Sequence, residues 1–387
     1  MPTITLPTAD GGLAAYRTQQ PRDFPARASG PYNRIAFAAA HVVADPLADR
    51  DPWLEAAVDW DATLAYRRHL FALGLGVAEA MDTAQRGMGL AWPASLELIE
   101  RSVAAARDIP GALLYCGAGT DHLAPGAHAL DVVIGAYEEQ IAAVEKAGGR
   151  IILMASRALA ASARGPDDYA KVYDRILSQV ADKVIIHWLG DMFDPALAGY
   201  WGHKDLERAT EVALAAIARN AAKVDGVKIS LLDKEREIAM RRRLPEGVRM
   251  YTGDDFNYAE LIAGNGEHYS DALLGIFDAI APAASAALSA LARGGGNEFH
   301  DILTPTVPLS RHIFKAPTRF YKTGVVFMAY LNGHQRHFVM VGGQESARSI
   351  LHLAELFRLA DKAGLLADPE LAARRMASVL ASHGIAP

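Results

Sequence analysis

Along the chain, short runs of apolar, β-branched or small residues alternate with longer stretches in which apolar positions recur every three to four residues. The first pattern suits strands buried on both faces, and the second suits helices that cover a sheet. Eight runs can be counted, at 35–40, 76–81, 111–116, 150–155, 183–188, 226–230, 249–252 and, weakly, 267–270. Helical stretches lie between them at 61–73, 92–107, 129–147, 167–180, 206–222, 234–243 and 258–263. Count and alternation together predict an α/β protein built as a (β/α)8 TIM barrel, with the Ala-rich stretch 272–292 as its eighth helix.

The chain has 387 residues, whereas one such barrel needs roughly 250, so flanking segments are expected. The predicted organisation is an N-terminal extension over 1–30, the barrel over 31–293 and a C-terminal helical extension over 294–387. Gly294-Gly-Gly, Pro305 and Pro308 read as breaks before the tail. Helical spacing resumes near 321–331, 346–363 and 369–382, as in a small appendage packed on the barrel or on a neighbouring subunit.

Composition narrows the function. A hydrophobic share of 51% with 22% charged residues is that of a globular protein, and a net charge of −6 with both signs scattered leaves no basic face for nucleic acid. The densest basic run, Arg241-Arg-Arg, reads as a solvated helix end. Cys116 is the only cysteine, which excludes an intrachain disulfide and gives no reason to expect a thiolate zinc site. The N-terminus lacks the pattern of a secretion signal, and no uncharged apolar run reaches the roughly 20 residues of a membrane helix. A cytoplasmic protein with no membrane partner, metal or cofactor is expected.

In a parallel barrel the chemistry sits where the strands end, which selects His41, Asp82, Thr83, residues 117–121, Ser156, Arg157, His187, Lys228, Asp254, Asp255 and residues 268–270. Lys228 is the most informative, because it interrupts the apolar run 224–232 with an ammonium group. Burial favours the neutral amine, the nucleophile that condenses with a carbonyl; the alternative is a lysine that reaches solvent or pairs with a carboxylate such as Asp254. His187 ends the preceding strand and can exchange protons near neutral pH, or it is a satisfied core histidine. Asp82 is open between hydroxyl binding, metal binding and structure, whereas Asp61 and Asp255 read as helix caps. The glycines of Gly117-Ala-Gly-Thr-Asp and Gly342-Gly-Gln read as turn glycines, since neither loop has a complete phosphate-binding spacing.

In this order the chain resembles the dihydrodipicolinate synthase and N-acetylneuraminate lyase family over about 35–366. Val224-Asp-Gly-Val-Lys-Ile-Ser-Leu-Leu-Asp is similar to the family's Gly-Ile-Lys-Asp strand, and Tyr251-Thr-Gly-Asp-Asp-Phe to its Ser-Gly-Asp-Asp. Val58-Asp-Trp-Asp-Ala-Thr-Leu, Ala118-Gly-Thr-Asp, Phe314-Lys-Ala-Pro-Thr and Lys322-Thr-Gly follow in collinear order. The resemblance implies a class I aldolase-type barrel, a Schiff-base lysine at Lys228, a keto substrate, no metal and a homo-oligomer.

Two departures fall where that chemistry is most specific. The family's Gly-Thr-Thr-Gly-Glu loop, which cradles the carboxylate of a 2-keto acid, reads here Met81-Asp-Thr-Ala-Gln. An aspartate there would repel a carboxylate, so a neutral polyhydroxy ketone fits better than pyruvate. The family's proton-relaying tyrosine is replaced by His187 in Ile185-Ile-His-Trp-Leu-Gly. The loop that follows carries Trp188, Phe193, Tyr200 and Trp201, which either stack on a sugar or close a lid, or anchor the loop in the core.

The resulting expectation is a lyase of carbohydrate catabolism, an aldolase or a dehydratase acting on a keto sugar. Lys228 forms the Schiff base and His187 moves protons, while Asp82, Thr83, His41, Tyr251 and Asp254 contact the substrate or tune the amine. Two alternatives stand beside it: a metal-dependent sugar isomerase or aldolase using His41, Glu79, Asp82 and His268, and a non-catalytic binding protein on the same barrel.

Overall fold

The computed structural model describes residues 1–28 and 30–385. Strands are numbered in chain order. β1 (Thr3–Pro7) and β2 (Leu13–Arg17) form an antiparallel hairpin. β3 (Ala36–Ala39), β4 (Gly76–Glu79), β5 (Leu114–Ala118), β6 (Arg150–Leu153), β7 (Val184–Leu189), β8 (Val224–Ser230), β9 (Arg249–Thr252) and β10 (Asp271–Leu274) run parallel, and β10 bonds back to β3 to close the barrel. The (β/α)8 architecture expected from the alternation is therefore the one present.

The strands read as continuous apolar runs because both faces are buried. Val227 and Ile229 of β8 pack outward against the helices, whereas Phe37, Tyr115, Ile152, Ile185, Tyr251 and Leu273 fill the barrel interior. Helix starts are fixed by side-chain caps at Asp59, Asp205 and Asp233. The first of these caps is Asp59, not the expected Asp61, because the helix Trp60–Ala72 begins one residue earlier.

Three sequence expectations need correction. The eighth strand is Asp271–Leu274 and not 267–270, which leaves the turn where Asn265 and His268 bond each other and leads up to that strand. Its apolar residues merge in sequence with the helix that follows, so no change of period marks the boundary. That helical stretch is in turn divided into Ile276–Ala279 and Ala281–Ala292. Pro308 does not break the tail: it occupies the first turn of the helix Val307–Ile313, where a missing N–H leaves no bond unmade.

The tail comprises the helices Gly296–Leu303, Val307–Ile313, Tyr321–Leu331, Ile350–Lys362 and Pro369–Ser382. All residues of Tyr321–Leu331 are buried. This helix packs against the Asp82–Ala84 turn at the barrel mouth on one side and against outer helices on the other. The N-terminal hairpin also joins the tail, since the Tyr16 hydroxyl donates to Asp361 at 2.7 Å and Arg358 donates to the Pro7 carbonyl at 2.8 Å. Among the described residues no helix is long and apolar enough to cross a membrane.

Candidate active site

The inward positions of β8 near the mouth are Lys228 and Ser230, in register with His187 and Leu189 of β7. Lys228 is 8% exposed and lines a narrow crevice with Asp82, Thr83, Ser230, Asp255 and Tyr321. The crevice adjoins a larger chamber of about 520 Å³ through Asp82 and Leu189, and the chamber is bounded by Arg86, Thr120, Arg157, His187 and Asp194. Leaving β8, the chain passes Leu232 in a left-handed conformation (φ 53°); leaving β4 on the opposite side of the barrel, it passes Ala80 at φ 51°. Backbone of this kind is strained for residues with a Cβ, and here it brackets the crevice on two sides.

Burial holds the Lys228 amine below the ordinary lysine range, opposed by the charges of Asp255 and Asp82. Burial pushes the Asp255 carboxyl upward, opposed by the N–H of Ile276, which donates to it at 2.9 Å, and by Lys228. The two groups thus share a dry crevice in which neither charge is well solvated. His187 is 1% exposed and is held well below the usual histidine range by burial and then by Lys228, so its imidazole is neutral at physiological pH. Its Nε2 lies 3.4 Å from the Ser230 hydroxyl, and its Nδ1 is buried without a partner among the described residues.

Asp82 is half-buried at the rim, and its carboxylate has no hydrogen-bond partner among the described residues. Thr83, next in the turn, is bonded to Tyr321 across 2.8 Å. The turn is anchored from below by Glu79, which takes Arg67 in a two-pronged ion pair at 2.8 and 2.9 Å and also accepts the Ala80 N–H.

Three expected substrate contacts are elsewhere. His41 is fully buried behind the barrel wall, with Nδ1 2.9 Å from both oxygens of Asp278 and its ring against Tyr66, because β3 ends at Ala39 and the chain then turns outward. Tyr251 points down the barrel and donates to Asp225 at 2.6 Å, so it belongs to the floor below Lys228. Asp254 caps its own loop through the N–H groups of Phe256 and Asn257; Asp255 is the carboxylate that faces the amine. The aromatic loop is mostly anchored in the core: Trp188, Tyr200 and Trp201 are buried, and of the four only Phe193 reaches the crevice.

Asp255, Ser230 and Tyr321 were missing from the expected site. Ser230 had a usable signal, since it lies two residues beyond Lys228 on the same face of a strand. The four ligands of the metal-dependent alternative are not brought together: Glu79 is engaged by Arg67, His41 by Asp278, and His268 is exposed. Among the described residues no cluster of three or more His, Cys, Asp or Glu is arranged to hold a metal ion.

Solved structures with the same fold include dihydrodipicolinate synthase from Aquifex aeolicus, with a TM-score of 0.62 and 13% identity over 86% of this chain and 99% of that one. YagE, a prophage protein of the dihydrodipicolinic acid synthase family from E. coli K12 in complex with pyruvate, gives 0.65 and 10% over 86% and 99%. The chloride-inhibited dihydrodipicolinate synthase from Acinetobacter baumannii, complexed with pyruvate, gives 0.60 and 14% over 86% and 99%. At such identities the likeness is one of fold. No curated protein matches the sequence. One family, described as "Protein of unknown function (DUF993)", matches residues 4–385.

Proposed function

The chain belongs to that family of unknown function, and we propose from its site that it is a Schiff-base-forming lyase, an aldolase or dehydratase acting on a neutral polyhydroxy ketone. The observation that carries this reading is the buried amine of Lys228 at a barrel mouth, beside a carboxyl whose own charge is disfavoured. The amine adds to the substrate ketone to give a carbinolamine. Asp255 lends a proton to the departing hydroxyl, water leaves, and the iminium remains as an electron sink. Neutral His187 then takes the proton from a substrate hydroxyl while the adjacent carbon–carbon bond breaks toward the iminium, giving an enamine and a carbonyl fragment; in a dehydratase the same sink drives loss of water. Reprotonation and hydrolysis return the free lysine.

Charge at the mouth supports a neutral substrate. Arg86 is paired with Asp121 at 2.7 Å and Arg157 with Asp194, and the charges of Asp82 and Asp255 act on the Lys228 amine and that of Asp82 on Lys322 without a direct ion pair. Among the described residues of the mouth both guanidinium groups are thus engaged and not free for a substrate carboxylate. One placed about 4 Å from Asp82 would be repelled by on the order of 4 kcal/mol at an effective dielectric of about 20.

Borohydride reduction in the presence of dihydroxyacetone, followed by peptide mass spectrometry, tests the reading. The expected result is a reduced adduct on Lys228, weaker trapping of pyruvate, and turnover lowered by several powers of ten in Lys228→Arg, whose guanidinium stays protonated. Substantial turnover by a well-folded Lys228→Arg protein rules out the Schiff base, and equally ready trapping of pyruvate refutes the charge argument.

A further inference from the structure

Thr83 and Tyr321 each carry one hydroxyl proton, yet the only hydrogen bond either side chain makes among the described residues is the one between them, at 2.8 Å. A bond between two hydroxyls uses one proton. The second is left in a crevice whose other wall is the Lys228 amine. Thr83 is 1% exposed and Tyr321 4%, so water does not freely supply the missing acceptor.

The ring is held in place from several sides. It stacks on Phe314 at 4.4 Å and 15°, and meets the edge of Phe193 at 6.1 Å. Gly275, at the end of β10, leaves the space the two rings occupy: a Cβ there would lie 3.0 Å from Phe314 and 3.2 Å from Tyr321. Barrel and tail therefore fit each other around this one phenol.

We propose that Tyr321 is a catalytic residue, brought to the barrel by the C-terminal segment, whose phenol gives its proton to the substrate carbonyl oxygen as Lys228 adds to the carbonyl carbon, with Thr83 setting its aim. The inference rests on the Schiff-base reading above. As the nitrogen lone pair forms the N–C bond, the carbonyl π electrons move to oxygen, which takes the phenol proton. The phenolate recovers the proton that the adduct nitrogen gives up, so the carbinolamine is neutral, Tyr321 is regenerated and no further reactant is consumed. Burial raises the phenol well above the usual tyrosine range, which keeps it protonated beforehand and favours transfer in concert with addition over a free phenolate.

The test is the rate at which dihydroxyacetone forms a borohydride-trapped adduct on Lys228, in wild type, Tyr321→Phe, Thr83→Val and Thr83→Ser, with thermal midpoints alongside. Tyr321→Phe keeps the stacked ring and is expected to slow adduct formation about 100-fold, the lower range for loss of a positioned acid, with a near-normal midpoint. Thr83→Val is expected to slow it about tenfold, and Thr83→Ser to restore it. Wild-type adduct rates in a folded Tyr321→Phe protein overturn the inference while leaving the Schiff base standing. Should Tyr321→Phe not fold, an unchanged rate in Thr83→Val overturns it. Absence of any wild-type adduct with dihydroxyacetone or pyruvate defeats the Schiff-base reading, and this inference with it.

Discussion

Replacing Glu79 by Gln should destabilise the protein far more than the loss of one charge suggests. Arg67 and Glu79 both have side chains with no exposed surface, and the guanidinium meets both carboxylate oxygens, at 2.8 and 2.9 Å, while also donating to the carbonyls of His41 and Thr63. The amide introduced by Glu79→Gln would offer one acceptor where there were two and turn an N–H group toward the cation. Arg67 would then be a buried charge without a counter-charge, which costs about 3–5 kcal/mol. That is a third or more of the stability of many domains, and shifts the folding equilibrium by a factor between about one hundred and several thousand. Equilibrium urea unfolding followed by tryptophan fluorescence measures the loss. Adding Arg67→Met removes the stranded charge while the amide oxygen can still accept the Ala80 N–H, so the double replacement should recover more than half of it. A loss below about 1 kcal/mol in Glu79→Gln, or a double replacement no more stable than the single one, would refute the argument. Catalysis should follow the same order, because Glu79 also holds the left-handed turn at Ala80 from which Asp82 and Thr83 reach the crevice.

Gly253→Ala should stop adduct formation on Lys228 and lower stability, since the new methyl would sit 2.8 Å from Lys228 Cε and from the Ile229 carbonyl oxygen; normal trapping by this variant would mean that the strand end yields more readily than its packing implies. Stability should fall as the pH drops below about 6.5, because the unfolded chain there binds protons that buried neutral histidines refuse. Burial brings His334 down to about 3 and His352 to about 2, so urea midpoints between pH 7.5 and 5 should fall less steeply in His334→Leu and His352→Leu than in wild type.

The barrel was legible in the sequence because a strand buried on both faces and a helix with one wet face leave different periods, and seven of the eight strands carried theirs. The eighth did not, since Ala272-Leu-Leu runs directly into the apolar helix Ile276–Ala279. Lys228 was legible for the same reason in reverse: a single charge in an apolar run has to be explained. Asp254 and Asp255 are one residue apart in a loop, where the direction of each side chain depends on local backbone angles that no period records. His41 follows a strand by two residues and turns outward for the same reason. Tyr321 could not be found from the barrel pattern at all, as it reaches the crevice from a helix of the tail, across a long stretch of chain.

The hairpin at the start of the chain is secured by Asp361 and Arg358, and the mouth is roofed by the helix that begins at Tyr321. During synthesis the hairpin must therefore wait for partners that lie 345 and 351 residues further along, and a nascent chain holding all eight barrel strands would still lack one wall of its crevice. The Lys228 amine and its finished crevice thus come together only once the tail helices have been made, and the amine stands outside that crevice only for as long as the tail takes to dock.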